Sequence, residues 1–256
     1  MAENLRQYLD FMVETAYLAG RQTLSYFQTG VQADYKIDNT PVTIADKKTE
    51  EFIRSRIEKQ YPGHALLGEE FGISGADKAS HRWIIDPIDG TKSFLRGVPL
   101  YGVLIGLEIE GVVEVGAAYF PAMDEMIAAA TGEGCWWNGR RSYVSKVSSL
   151  KNAWVSFTDP GSFVEFGKQA AWQKLQDAAY YRVGWSDSYG YLLAATGRIE
   201  VMIDPIMAEW DCGPFPPIFR EAGGYFGDWK GNQTIYAKEA LATNSALLAE
   251  ILPLLA

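Results

Sequence analysis

Apolar positions Leu5, Leu9, Met12, Val13, Ala16 and Tyr17 recur at helical spacing, and the pattern predicts an amphipathic helix that closes near Gly30. The stretch Lys36 to Val42 reads as irregular. Thr43-Ile44-Ala45-Asp46 has the form of a capping box, and Phe52, Ile53 and Ile57 continue one apolar face, which predicts a second helix ending at Tyr61-Pro62-Gly63. Ala65-Leu66-Leu67 reads as a short buried strand, Ile73 to His81 as a polar loop, and Trp83-Ile84-Ile85 as a further strand. Leu100 to Glu108 and Val112 to Tyr119 flank a Glu110-Gly111 turn as a hairpin. Beyond the polar run Ser142 to Ser149, the pattern predicts helices over 166–177 and 188–196 and a strand over 199–203. The fold class expected is α/β, with an α+β metal-binding lobe over about 1–145 and an α/β substrate lobe over 146–256, tightly packed because no flexible linker separates them.

Charge narrows the partners. The 32 acidic and 23 basic residues give a net charge of -9, the wrong sign for attraction to nucleic acid or anionic membranes. An acidic protein can attract an anionic substrate if cations sit in its site. The two cysteines, Cys135 and Cys212, are too far apart for a Cys-x-x-Cys site, so a reducing compartment fits. No stretch approaches the ~20 apolar residues that span a bilayer, and Met1 to Asp10 lacks a leader pattern, so the expected location is cytoplasmic.

The most informative string is Trp83-Ile84-Ile85-Asp86-Pro87-Ile88-Asp89-Gly90-Thr91. An apolar strand delivers two carboxylates at its end, hard oxygen ligands of the kind magnesium prefers, and a backbone carbonyl such as that of Ile88 can turn inward as another. Gly90 permits close backbone approach, and a helix starting at Thr91 offers free amides to a phosphate. Asp-Gly-Thr alone is better read as a turn with an Asx cap, but two carboxylates after a fully apolar strand repel each other unless a cation lies between them. Gly68-Glu69-Glu70 also closes a strand and brings Glu69 near if the two strands are neighbours. Trp210-Asp211 precedes a helix ending in Glu221-Ala222-Gly223-Gly224. Taken singly, paired glutamates are solvated surface, Asp211 is an N-cap and Asp46 is the acidic member of its capping box.

Together, Gly68-Glu69-Glu70, Trp83 to Phe94 and Trp210-Asp211 with its downstream Glu-Ala-Gly-Gly closely resemble the motifs of the inositol monophosphatase family, in order and spacing over nearly the whole chain. Ser188 to Arg198 looks most like the histidinol-phosphatase branch. The resemblance implies a layered αβαβα sandwich of the inositol monophosphatase and fructose-1,6-bisphosphatase type, usually a homodimer, using two or three magnesium ions. It implies that Glu69, Asp86 and the Ile88 carbonyl hold one ion and that Asp86, Asp89 and Asp211 hold a second. Thr91 paired with Asp46 would orient the attacking water, with Glu69 also catalytic, and the Gly90 and Thr91 amides would hold the phosphate. Asp204 falls where the family contacts the alcohol part of the substrate. One departure is the run Cys212-Gly213-Pro214-Phe215-Pro216-Pro217, which predicts a late or irregular helix start after Asp211.

The expected activity is hydrolysis of a small phosphate monoester by a metal-activated water. Histidinol phosphate carries an ammonium and an imidazole, so its pocket should hold further carboxylates, for which Asp187, Asp204 and Glu209 are candidates, and Trp185 is placed to line it. An inositol or other polyol phosphate stays open, since carboxylates also accept from hydroxyls. A haloacid-dehalogenase type phosphatase would show Asp-x-Asp, whereas this spacing is Asp-x-x-Asp. A binding protein that has lost turnover would lack a ligand or the Asp46–Thr91 pair. His64 and His81 read as solvated, Cys212 as a small packed residue, and Trp136, Trp137 and Trp172 as core.

Overall fold

The first apolar stripe forms α1, Leu5–Thr23, with Leu9, Met12, Ala16 and Ala19 buried in the computed structural model, which describes residues 4–37, 39–76, 79–185 and 187–256. The helix stops short of Gly30. The Thr23 hydroxyl donates back to Gly20 O at 2.7 Å and lies 3.0 Å from the Tyr101 hydroxyl, and such back-bonding competes with helix continuation. Strands β1, Ala33–Tyr35, and β2, Pro41–Thr43, pair antiparallel, so the stretch expected to be irregular is the tip and return of a small hairpin. Helix α2, Ile44–Gln60, starts at the expected capping box: Thr43 N and Oγ1 donate to Asp46 Oδ2 at 2.8 and 2.6 Å, and Ala45 N donates to Thr43 Oγ1 at 3.0 Å.

The larger sheet is built from β3 Ala65–Gly68, β4 Gly72–Ser74, β5 His81–Asp89, β6 Gly102–Ile109, β7 Val112–Phe120, β8 Glu125–Ala130, β9 Gly134–Trp137 and β10 Arg140–Arg141, in the order β10-β9-β8-β7-β6-β5-β3-β4. Among the described residues of this sheet, β3 and β5 are the one parallel pair. The loop expected over 73–81 begins inside β4, and its Asp77 and Lys78 lie outside the described residues. The short helix α3, Thr91–Leu95, follows β5.

The smaller sheet holds β11 Trp154–Ser156, β12 Tyr181–Val183, β13 Val201–Asp204, β14 Gly224–Gly227 and β15 Ala240–Asn244, in the order β12-β11-β13-β15-β14. Its helices are α4 Pro160–Glu165, α5 Gln169–Ala178, α6 Asp187–Ala195, α7 Glu209–Cys212, α8 Phe215–Ala222 and α9 Ser245–Leu255. The helix expected over 166–177 starts late, because a Schellman closure ends α4 there. Gly167 adopts φ 69, Gly167 N donates to Val164 O at 3.1 Å, and Lys168 N to Phe163 O at 2.7 Å.

These elements stack in five layers. α1 and α2 cover one face of the larger sheet around Met12, Ile53, Trp83 and Ile105. α6 and α8 lie between the sheets, with Tyr191, Phe215, Phe219 and Phe226 in the shared core. α4, α5 and α9 cover the outer face of the smaller sheet around Phe163, Trp172 and Ile251. The expected layered α/β fold is the one observed.

The histidines depart from expectation. Neither is a free surface group: their rings stack at 4.3 Å, and Trp83 Nε1 donates to His64 Nδ1 at 3.0 Å. Aromatic neighbours Tyr8, Tyr61 and Trp83 recruit them, which no local pattern around either one signals. Cys212 is buried and its thiol is pushed well up by that burial, the behaviour of a packed residue. Trp172 is core, whereas Trp136 and Trp137 are half-buried beneath Arg141 and beneath Arg140 and Arg198.

Candidate active site

The acidic residues converge at the end of β5, where α7 packs against the larger sheet. Strand β5 is buried through Ile88, and its register with β6 shifts between Asp86 and Asp89. Pro87 cannot donate to the ladder. The irregularity frees the chain end to curl: Ile88 N donates to Asp86 Oδ1 at 3.0 Å, and Thr91 Oγ1 lies 3.0 Å from Ile88 O. Gly90 caps α3 with φ 79, and a Cβ there would sit 2.9 Å from Leu100 O and 3.2 Å from Asp187 Oδ2. Only glycine meets both conditions.

Asp211 arrives from the other sheet's helices. The proline run divides the expected helix into α7 and α8, so that Pro216 and Pro217 fall in the first turn of α8, where missing amide donors do no harm. The corner between the two helices rests directly on the larger sheet. Gly106 and Gly116 face each other across β6 and β7, and a Cβ on either would meet Gly213 O at 2.3 Å or Pro214 O at 2.1 Å. This close approach sets α7 over the end of β5, and Asp211 Oδ2 accepts from Ala208 N at 2.8 Å. Asp86, Asp89 and Asp211 then each offer a carboxylate oxygen, all within 4.8 Å of one another.

Parallel pairing of β3 with β5 sets Gly68 beside Ile85 and brings Glu69 alongside Asp86, with Glu69 N donating to Ile85 O at 3.2 Å. The Glu69 carboxylate is turned toward Lys36, whose Nζ lies 2.8 Å from Glu69 Oε1 and 2.8 Å from Glu70 Oε1. Sequence reasoning missed Lys36. It stands in a stretch with no periodicity, and only the β1–β2 hairpin folds it onto the β3 turn. Asp46 is fully buried and its Oδ1 lies 3.3 Å from Thr91 Oγ1, so the expected pair is in place. Ser188 was also missed as a partner here: its amide donates to Asp89 Oδ2 at 2.8 Å and its hydroxyl donates to the same oxygen.

Electrostatics reflect the crowding. Burial, then the neighbouring charges of Glu69, Asp89 and Asp211, hold Asp86 well above the usual carboxylate range. Asp89 is raised by burial and by Asp187 and Asp211. Burial lifts Asp211 to about 7, and it lifts Glu69 to about 7 despite Lys36. Such carboxylates are costly without a counter-charge. The donor set is all hard oxygen, with one short span common to three side chains, and it fits a magnesium-type cation better than a zinc site, which favours nitrogen and sulfur.

Residues expected on the substrate side separate into two groups. Asp187, at φ 53, opens α6 beside Gly90, its amide donating to Thr158 Oγ1 at 3.0 Å. Trp185 is 37% exposed and stacks on Trp154 at 5.9 Å, its amide and carbonyl both held by Ser156 Oγ at 3.1 Å. Glu209 is half-buried at the start of α7. Asp204 lies deeper: it is 2% exposed, and its oxygens accept from Thr158 N and the Tyr191 hydroxyl, both at 2.9 Å. Its partner Thr158 also holds the Asp187 amide, so Thr158 links Asp204 to the head of α6.

A model of the inositol monophosphatase family matches residues 4–256. The chain is 43% identical over 242 residues to a histidinol-phosphatase of Chlorobaculum parvum, covering 93% of each, and 35% identical over 227 residues to a histidinol-phosphatase of Mycobacterium tuberculosis, covering 87% of each. The extragenic suppressor protein suhB of Bartonella henselae has a similar structure, with a TM-score of 0.89 at 27% identity over 97% of this chain and 98% of that one. An inositol monophosphatase from Anabaena superposes with a TM-score of 0.85 at 27% identity, over 99% and 96% of the two chains. With these likenesses spanning the whole length, the chain belongs to the inositol monophosphatase family, a family of metal-dependent phosphatases.

Proposed function

We propose that the protein is a magnesium-dependent phosphatase that hydrolyses histidinol phosphate to histidinol and phosphate. The observation that carries this reading is the convergence of Asp86, Asp89 and Asp211 beside the Asp46–Thr91 pair. Glu69, Asp86, the Ile88 carbonyl, Asp89 and Asp211 are the groups that would hold magnesium. Magnesium bound there supplies positive charge that makes a water more acidic and offsets negative charge on the departing oxygen. The Thr91 hydroxyl, fixed between Ile88 O and Asp46 Oδ1, orients the water, and Asp46 keeps its own geometry through three bonds to Thr43 and Thr91. The Gly90 and Thr91 amides at the head of α3 face the phosphate.

The substrate assignment rests on the histidinol-phosphatase relatives and on the acidic and aromatic character of the Trp185–Asp187 edge. Asp187 and Glu209 supply negative charge to a cationic substrate, and Trp185 supplies a ring face, the two chemistries that an imidazole and an ammonium require. Free, buried cysteines fit a reducing cytoplasm, and no helix among the described residues is long and apolar enough to cross a membrane. A homodimer accords with the resemblance, and β12 with exposed Tyr180 and Tyr181 is an open sheet edge suited to pairing.

The test is phosphate release from histidinol phosphate and from inositol 1-phosphate, with magnesium and with excess chelator. Turnover of histidinol phosphate that vanishes in chelator is expected. Equal activity in chelator overturns the mechanism, and strong preference for the inositol ester overturns the substrate assignment.

A further inference from the structure

Along one face of α2, Asp46, Glu50 and Arg54 follow at successive turns, and all three are buried. Asp46 belongs to the site already described. Glu50, fully buried, and Arg54 have no place in the chemistry, yet burying a carboxylate and a guanidinium is costly unless both are fully hydrogen-bonded.

Their hydrogen bonds converge on the turn that carries Glu69. Glu50 Oε2 accepts from Glu70 N at 2.7 Å, and Oε1 accepts from Phe71 N at 3.3 Å and from Arg54 Nε at 2.7 Å. Arg54 reaches past its partner to the far side of the same turn, where Nη2 donates to Gly72 O at 2.5 Å and Nη1 to Ser74 Oγ at 2.9 Å. Gly68 leaves the opening through which the pair reaches in, since a Cβ there would lie 2.0 Å from Glu50 Oε1 and 2.8 Å from Arg54 Nη2. The ion pair therefore clamps both sides of the Glu69-Glu70-Phe71 turn and ties it to the helix whose first turn presents Asp46.

We propose that Glu50, with Arg54, is a positioning residue that sets the Glu69 carboxylate in register with Asp86 for cation binding and couples that register to the Asp46–Thr91 pair through α2. This rests on the metal assignment of the preceding subsection. Lys36 meets the Glu69 carboxylate from one side, but the backbone that carries that carboxylate is a turn, and the clamp fixes the turn from beneath.

The test is a magnesium titration by calorimetry on the full chain, comparing wild type, Asp86→Asn and Glu50→Gln, with the thermal midpoint of each metal-free protein measured alongside. Glu50→Gln keeps the size of the side chain but turns an amide group toward the N–H donors it must accept from. It is expected to bind magnesium about 10–100-fold more weakly than wild type, the usual cost of losing a partner that orients a ligand. Turnover should recover at high magnesium with the substrate KM unchanged. A folded Glu50→Gln protein with wild-type magnesium affinity overturns the proposal, even if its thermal midpoint falls, because a purely structural brace would lower the midpoint alone. If Glu50→Gln does not fold, Arg54→Gln, which keeps both amide bonds to Glu50 but frees Gly72 and Ser74, gives the same reading: weaker magnesium binding supports the clamp and unchanged binding overturns it. Wild type binding no better than Asp86→Asn would instead sink the metal assignment itself.

Discussion

In the loop after β14, Asp228 accepts from Lys230 N at 2.9 Å, Asn232 N at 2.7 Å and Asn232 Nδ2 at 2.8 Å. Burial works against its charge, but these donors outweigh burial and hold its carboxyl below the ordinary range. At the end of β5, Asp86, Asp89 and Asp211 are packed against one another, and burial together with the neighbouring carboxylates outweighs the donors they do have, so all three are raised. The same residue type thus serves two ends. Where N–H groups surround it, aspartate pins a loop; where carboxylates surround it, the fold holds a charge deficit that a divalent cation can fill.

The contrast breaks most directly at Asp86. Replacing it with asparagine should lower kcat/KM by more than about 10³-fold, because the charge that the cation needs is gone. The same change should raise the metal-free thermal midpoint, since it relieves repulsion, by about 2–4 °C for each kcal/mol recovered. Activity near wild type, or a fall in the metal-free midpoint, would count against the reading of the cluster.

Thr91→Val keeps the shape of the side chain and removes the hydroxyl between Asp46 and Ile88 O. A kcat about 10²-fold lower with magnesium affinity intact is expected; steady-state kinetics at saturating magnesium checks it. Asp228→Ala should behave in the opposite sense to Asp86→Asn, losing about 1–3 kcal/mol of stability in denaturant titration while turnover stays at the wild-type level.

A slope in pH, without any change in turnover chemistry, sharpens the comparison at Asp204, which has donors but is lifted to about 7 by burial. Between its unfolded value and about 7 the folded protein holds a proton there that the unfolded chain does not, so this group's contribution is full at low pH and is lost as pH rises through 7. One such proton is worth at most about 1.4 kcal/mol per pH unit. Asp204→Asn should flatten the fall in stability between its unfolded value and about pH 7 by up to that slope, as read from denaturant midpoints across the range. A variant that keeps the wild-type slope would place the titration elsewhere.

Much of the fold was legible because local pattern and local structure coincide. The Thr43–Asp46 capping box, the apolar run into Asp86 and the Glu110-Gly111 hairpin turn each need only neighbours in the chain, and each forms as expected. The misses have physical causes as well. The helix expected over 166–177 overlooked the break that Gly167 makes, and the β1–β2 hairpin was hidden because strands three residues long carry too few alternations to show a period. The partners of Asp204, Thr158 N and the Tyr191 hydroxyl, were likewise hidden, because they reach it from other elements.

The sequence by itself determined the element types, the acidic string after β5 and its likeness to a family, because hydrophobic period, capping and turn chemistry act over a few residues. Only the tertiary structure decided which distant groups meet: Asp211 over β5 through the bare backbones of Gly106 and Gly116, Lys36 on Glu69, Ser188 on Asp89, and Glu50 with Arg54 beneath the Glu69 turn. Those meetings depend on how two sheets pack through a shared helical layer. That packing is set by summed burial and steric fit across the whole chain, and no short window of residues contains it.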